Sequence, residues 1–163
     1  MTEQTRLAPI ANGLEDNARA NVAEGLATVL AGTYALALKT QNFHWNVTGP
    51  RFRGLHALFE EQYTDLQGAS DEIAERIRSL AAVAPGGLAR FAALSPVEDA
   101  PDVPPGADAM VAQLAADNDT LARTLRGLIG EAGDAGDEAT ADLLTGRLAT
   151  HEKAAWMLRA SLG

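Results

Sequence analysis

Apolar residues recur along this chain at helical rather than alternating spacing. Between Leu14 and His44 they fall at Leu14, Val22, Leu26, Val29, Leu30, Tyr34, Leu36, Leu38 and Phe43, with the three- and four-residue steps that stack side chains on one face of a helix. No proline interrupts that segment. Gly49-Pro50 ends it, because proline has no N–H to donate and turns the residue before it away from helical backbone. A second segment runs from Phe52 to Ala82 and stops ahead of Pro85-Gly86-Gly87, a third spans Ala107–Glu131, and a fourth Asp137–Leu162. Asp137 and Glu138 open the fourth, where carboxylates suit the free N–H groups and dipole of a helix start. Residues 83–106 carry Pro96, Pro101, Pro104 and Pro105 and predict a long connection with one short helix over Leu88–Leu94.

Two short links and one long one predict an all-α, four-helix bundle with one long crossover, which is ferritin-like topology. The length of 163 residues fits one domain over 1–163, with 1–13 as a flexible N-terminal segment. Periodicity alone is equally compatible with a bundle that carries no chemistry.

Composition narrows the chemistry. The chain is 47% hydrophobic but only 5% aromatic, and its alanine and leucine favour helices over sheets. It has no cysteine, which excludes disulfides, thiolate metal sites and cysteine nucleophiles and leaves His, Asp and Glu as metal ligands. The formal charge is −9 and the pI is near 4.7, so polyanion binding would need a local basic arm. None is evident: residues 1–25 hold Arg6 and Arg19 against Glu3, Glu15, Asp16 and Glu24. With no signal-peptide pattern and no uninterrupted apolar run near the ~20 residues that span a bilayer, a cytoplasmic protein without membrane partners is expected.

Two of the three histidines, His44 and His56, lie close in sequence. His56 is followed four residues on by Glu60, and Asp71 by Glu75, so each pair projects from one side of its helix. Glu60 and Asp71 are eleven residues apart, close to three whole turns, so all four share a face while standing roughly 16 Å apart along the axis. No single ion is bound by both pairs of one chain, since ligand bonds are only about 2 Å long. Either the pairs do unrelated jobs, or a second copy lies antiparallel across a two-fold axis and completes two equivalent sites. Imidazole and carboxylate without sulfur suit iron, manganese or zinc. No Glu stands three residues before any His, which argues against the Glu-x-x-His diiron site inside one bundle. His151 and Glu152 read as structural or surface residues.

The run Lys39-Thr-Gln-Asn-Phe-His44-Trp45-Asn46-Val-Thr-Gly49-Pro-Arg-Phe52-Arg-Gly-Leu55-His56, followed by Asp71-Glu-Ile-Ala-Glu75-Arg76, resembles the signature of the Dps family of mini-ferritins. The stretch His151-Glu-Lys-Ala-Ala-Trp156-Met-Leu-Arg159 resembles that family's last helix, and the resemblance covers residues 14–162. It implies a hollow homo-dodecameric shell with dinuclear iron sites at two-fold interfaces. His44, His56 and position 60 would come from one subunit, with Asp71 and Glu75 from its neighbour; many members have Asp where this chain has Glu60. It implies oxidation of Fe(II) by hydrogen peroxide or oxygen and storage of Fe(III), protecting against oxidative damage, with zinc or manganese as other occupants. Trp45 resembles a residue proposed to intercept oxidising equivalents in the family; interface packing is the other reading. Asp134, Asp137, Glu138 and Asp142 fall where members have acidic iron-entry pores, with Glu138 and Asp142 first choices because they share a helix face. A nucleoid-associated DNA-binding shell is an alternative, as is a metal-binding assembly without turnover. DNA binding is not expected, since members that coat DNA use Lys-rich arms and the two lysines here, Lys39 and Lys153, lie outside the termini.

Overall fold

The computed structural model describes residues 10–162. Five helices follow in order: α1 Asp16–Asn46, α2 Phe52–Ser79, α3 Leu88–Leu94, α4 Ala107–Asp134 and α5 Glu138–Ala160. No strand occurs among the described residues. Helices α1 and α2 pack as one hairpin and α4 and α5 as another, with α1 also against α4. The crossover carrying α3 packs back on α1. This is the expected bundle, with ends within a few residues of the expected ones. Of the segment expected to be flexible, residues 1–9 lie outside the described residues, and 10–15 precede α1 without helix.

Local chemistry sets the helix ends. Asp137 caps α5, its Oδ1 accepting from Thr140 N at 3.0 Å. Gly136, at φ +71°, closes α4: Asp137 N donates to Ala132 O at 2.8 Å and Gly136 N to Gly133 O at 3.0 Å, a Schellman ending. Helix α2 ends in the same pattern, with Ala82 N to Ile77 O at 3.3 Å and Ala81 N to Arg78 O at 3.0 Å. There the left-handed position is Ala81, at φ +57°. That is why α2 stops at Ser79 rather than continuing to Ala82.

The core is built in two apolar clusters stacked along the bundle. One gathers Leu36, Phe43, Leu55, Phe59, Val111, Leu114 and Leu158; the other gathers Val22, Leu26, Leu30, Ile73, Ile77, Leu125 and Leu144. Each fully buried side chain contributes about 1.5–3 kcal/mol. Helix α1 is long and apolar enough to cross a membrane by composition, yet over half of that apolar window is buried inside the protein; its apolar surface is bundle core. It runs close to its neighbours, since a Cβ on Gly32 would meet Leu121 Cδ2 at 2.7 Å and Pro96 Cδ at 2.9 Å.

Candidate metal centre

Helix α2 carries three kinds of surface. Leu55, Phe59, Leu66, Ile73 and Ile77 are buried against the core. Asp65 and Arg76 turn toward α5. His56, Glu60, Asp71 and Glu75 occupy a third face, roughly 150° around the helix from the α5-facing residues at ~100° per residue. Glu60, Asp71 and Glu75 are exposed and His56 is half-buried.

His44, near the end of α1, and His56, early in α2, flank the α1–α2 turn, which brings their rings face to face. The centroids are 3.7 Å apart and the planes 17° from parallel. Each ring nitrogen Nδ1 lies 2.8 Å from the other residue's backbone carbonyl oxygen. A carbonyl oxygen only accepts, so both Nδ1 atoms are N–H donors, and in each neutral ring the lone pair is on Nε2. Two imidazoles are thereby held in the tautomer that binds metal, each oriented by a hydrogen bond at its other nitrogen. Tyr63 meets the His44 ring edge-on at 5.3 Å, and Phe52 lies 4.9 Å from the His56 ring. His44 is only 8% exposed.

Within one chain the set stays open. Among the described residues no three His, Asp or Glu side chains come close enough to hold an ion. The histidine pair stands at one end of the α2 face, and Asp71 with Glu75 stand about four to five turns further on. Trp45, beside His44, is 61% exposed, and with Tyr34, Leu38 and Phe91 it lines a groove of about 820 Å³ between α1 and the crossover.

The acidic residues near α5 divide. Asp134, Glu138 and Asp142 are exposed, and Glu138 and Asp142 lie one turn apart. Asp137 corrects the expectation of a pore residue: it is 3% exposed, caps α5, accepts from Thr140 Oγ1 at 2.6 Å and pairs with Arg76 Nη2 at 2.7 Å. The sequence signal for this role was the Asp at the helix start; its partner Arg76, far off in sequence, had none. The reciprocal histidine-to-carbonyl bonds were also missed, because a backbone acceptor leaves no trace in residue identity. His151 takes the structural half of its expected reading, being 2% exposed with Nδ1 2.8 Å from Asn118 Oδ1. Burial pushes its pKa down to about 4, aided by the nearby Arg147 charge. Glu152 is exposed and pairs with Arg126.

A model of the ferritin-like domain matches residues 23–163. A DNA protection during starvation protein of Brevibacillus brevis is 38% identical over 133 residues, 82% of this chain and 89% of that protein. The chain belongs to the Dps family. A low-temperature-induced protein of Nostoc is 43% identical over 90% of this Dps chain and 83% of its own length. Among solved structures, Dps of Vibrio cholerae superposes with a TM-score of 0.90 at 31% identity, covering 98% of this chain and 100% of that one; it is described as a member of a broad superfamily of ferritin-like diiron-carboxylate proteins. Dps of Bacillus brevis superposes with a TM-score of 0.87 at 37% identity, covering 90% and 98%.

Proposed function

We propose that this chain is the subunit of an iron-oxidising and iron-storing shell, and that a second copy completes each of its metal sites. The observation that carries this reading is a histidine pair locked with both Nε2 lone pairs free, on a face where His44, His56 and Glu60 of one chain do not by themselves close a metal site. An antiparallel neighbour across a two-fold axis places its Asp71 and Glu75 against His44, His56 and Glu60, and symmetry generates two such sites. The apolar groove lined by Tyr34, Leu38 and Trp45 fits burial against that neighbour.

Fe(II) is the substrate. His44 and His56 bind it through neutral nitrogen, while Glu60 and the neighbour's Asp71 and Glu75 supply negative charge that favours Fe(III) as it forms. Two ferrous ions together give the two electrons that reduce one hydrogen peroxide to water, so no hydroxyl radical need be released; oxygen is the other candidate oxidant. Glu60 keeps the carboxylate with one more methylene than Asp. Trp45, next to His44 in sequence, is the residue we assign to donate an electron if an oxidant escapes. Exposed Glu138 and Asp142, with Asp134, make the acidic surface suited to cation entry. Zinc or manganese suit the same ligands without turnover. DNA retention is not expected: Lys39 is 5% exposed and lies 2.8 Å from Asp117, which leaves one exposed lysine, Lys153, on a chain of charge −9.

Subunit complementation tests the shared site. His56→Ala and Asp71→Ala chains, each inactive alone, are unfolded and reassembled together at equal amounts. Random two-fold pairing regenerates about a quarter of the intact sites, read as rapid ferric absorbance when peroxide follows anaerobic Fe(II). Recovery of none would show that both residues must come from one chain. A gel shift that survives physiological salt would overturn the expectation about DNA.

A further inference from the structure

Tyr63 stands seven residues beyond His56 on α2. At ~100° per residue that step brings it within roughly 20° of His56 around the helix, at the margin of the metal face. Its half-buried ring meets the His44 ring edge-on, with centroids 5.3 Å apart and planes 71° from parallel, a favoured geometry for aromatic contact. His44 is in turn stacked on His56 with centroids 3.7 Å apart. Packing inside one chain therefore sets a phenol against the imidazoles that bind Fe(II) in the reading above, on which this inference rests.

Phenol and indole are the aromatic side chains that most readily give up one electron. The chain has two tyrosines and two tryptophans. Tyr34 packs on Phe91 at 4.8 Å, in the groove between α1 and the crossover. Trp45 and Trp156 are 61% and 63% exposed, and neither makes a ring contact with a histidine among the described residues. Of the four, Tyr63 alone lies against a ligand ring. Electron transfer slows steeply with distance, so the ring in contact with the ligand is the first to be oxidised.

The electron count at the site gives this phenol a task. Two Fe(II) supply both electrons that reduce one hydrogen peroxide to water. A site holding a single Fe(II) supplies one, and the remaining oxidising equivalent would leave as hydroxyl radical. We propose that Tyr63 supplies the missing electron when hydrogen peroxide meets a half-filled site. Peroxide, Fe(II), the phenol and one proton from solvent become two waters, Fe(III) and the Tyr63 phenoxyl radical. The O–O bond breaks, and the phenolic proton and the solvent proton complete the two waters. A later Fe(II) reduces the radical, and a solvent proton restores the phenol. Trp45 meets oxidant that has left the site, whereas Tyr63 acts before it leaves.

The test gives the assembled protein less than one Fe(II) per site under anaerobic conditions, then hydrogen peroxide, with rapid freezing for EPR and ferric absorbance followed alongside. Expected is a radical signal that narrows when the tyrosine rings are deuterated and disappears when more Fe(II) is added. Tyr63→Phe keeps the ring against His44 but removes the oxidisable group; the signal should be lost, and hydroxyl-radical spin adducts should appear instead. Tyr34→Phe should keep the signal. Ferric iron without a tyrosine radical, a signal indifferent to deuteration, or one that survives in Tyr63→Phe would each overturn the proposal while leaving the iron reading in place. No ferric absorbance at any iron loading would overturn the iron reading and this inference with it. If Tyr63→Phe fails to assemble, Tyr34→Phe still decides, because Tyr63 is then the one tyrosine left and loss of the signal there overturns the assignment.

Discussion

The two polar faces of α2 use the same residue types to opposite ends. Toward α5, Asp65 and Arg76 meet Arg147 and Asp137, and every carboxylate in that seam has a cation. The pairs also share one antiparallel register: 65 with 147 and 76 with 137 keep nearly the same sum of residue numbers, as two helices in line require. On the metal face, Glu60, Asp71 and Glu75 have no cation within salt-bridge distance among the described residues. The seam completes its electrostatics inside one chain, whereas the carboxylates of the other face have no counter-charge among the described residues.

Mutations should separate the two faces. The largest effect on chemistry is expected from His56→Ala or Asp71→Ala, which should slow Fe(II) oxidation by more than about 100-fold, beyond the loss typical of outer-shell partners. Stopped-flow absorbance measures it. The melting temperature of unassembled Asp71→Ala chains should barely move, because an exposed carboxylate is worth less than about 0.5 kcal/mol.

The seam should behave the other way. Asp137→Ala removes the cap of α5 and strands Arg76, costing about 3–4 kcal/mol. Chemical denaturation at fixed protein concentration checks this, since assembly couples stability to concentration. Fe(II) binding by the folded fraction should persist, and an Asp137→Ala protein that lost its iron sites without losing stability would erase the distinction between the faces.

His151 lies in the seam and predicts a pH effect. Its folded pKa of about 4 is depressed below the ordinary 6.5, so between those values the unfolded chain binds the extra proton. Stability is therefore full above pH 6.5 and falls as the pH drops toward 4, by on the order of 3 kcal/mol. His151→Gln should flatten that part of the profile, and an unchanged slope in unfolding titrations would refute the assignment.

The smallest effect is a gain. Ala81 holds the left-handed position that Gly136 fills at the end of α4. Ala81→Gly should relieve about 1 kcal/mol of strain, visible as a slightly higher denaturation midpoint with iron oxidation unchanged.

Particular residues show why some features were legible before the fold and others were not. His56, Glu60, Asp71 and Glu75 lie on one helix, where spacing alone puts them on one face. His44 joined them through the family's motif, and only the α1–α2 turn stacks its ring on His56. Asp137 was misjudged because a helix-start carboxylate looks the same whether it faces solvent or Arg76. The Asp65–Arg147 pair was equally invisible, since its members come from two helices and from no motif.

The amino-acid sequence by itself determined the helices, the bundle with its long crossover, the family, and the placing of His56, Glu60, Asp71 and Glu75 on one helix face with about three turns between the two pairs. Those follow from local backbone preference, from the 3.6-residue repeat and from rise per residue, none of which needs a neighbour. Tertiary structure decided which polar groups are spent and which remain free: the tautomers of His44 and His56, the burial of Asp137, and the Arg76–Asp137 and Asp65–Arg147 pairs. Pairing depends on what the folded chain brings within about 3 Å, a distance set by packing between residues far apart in sequence.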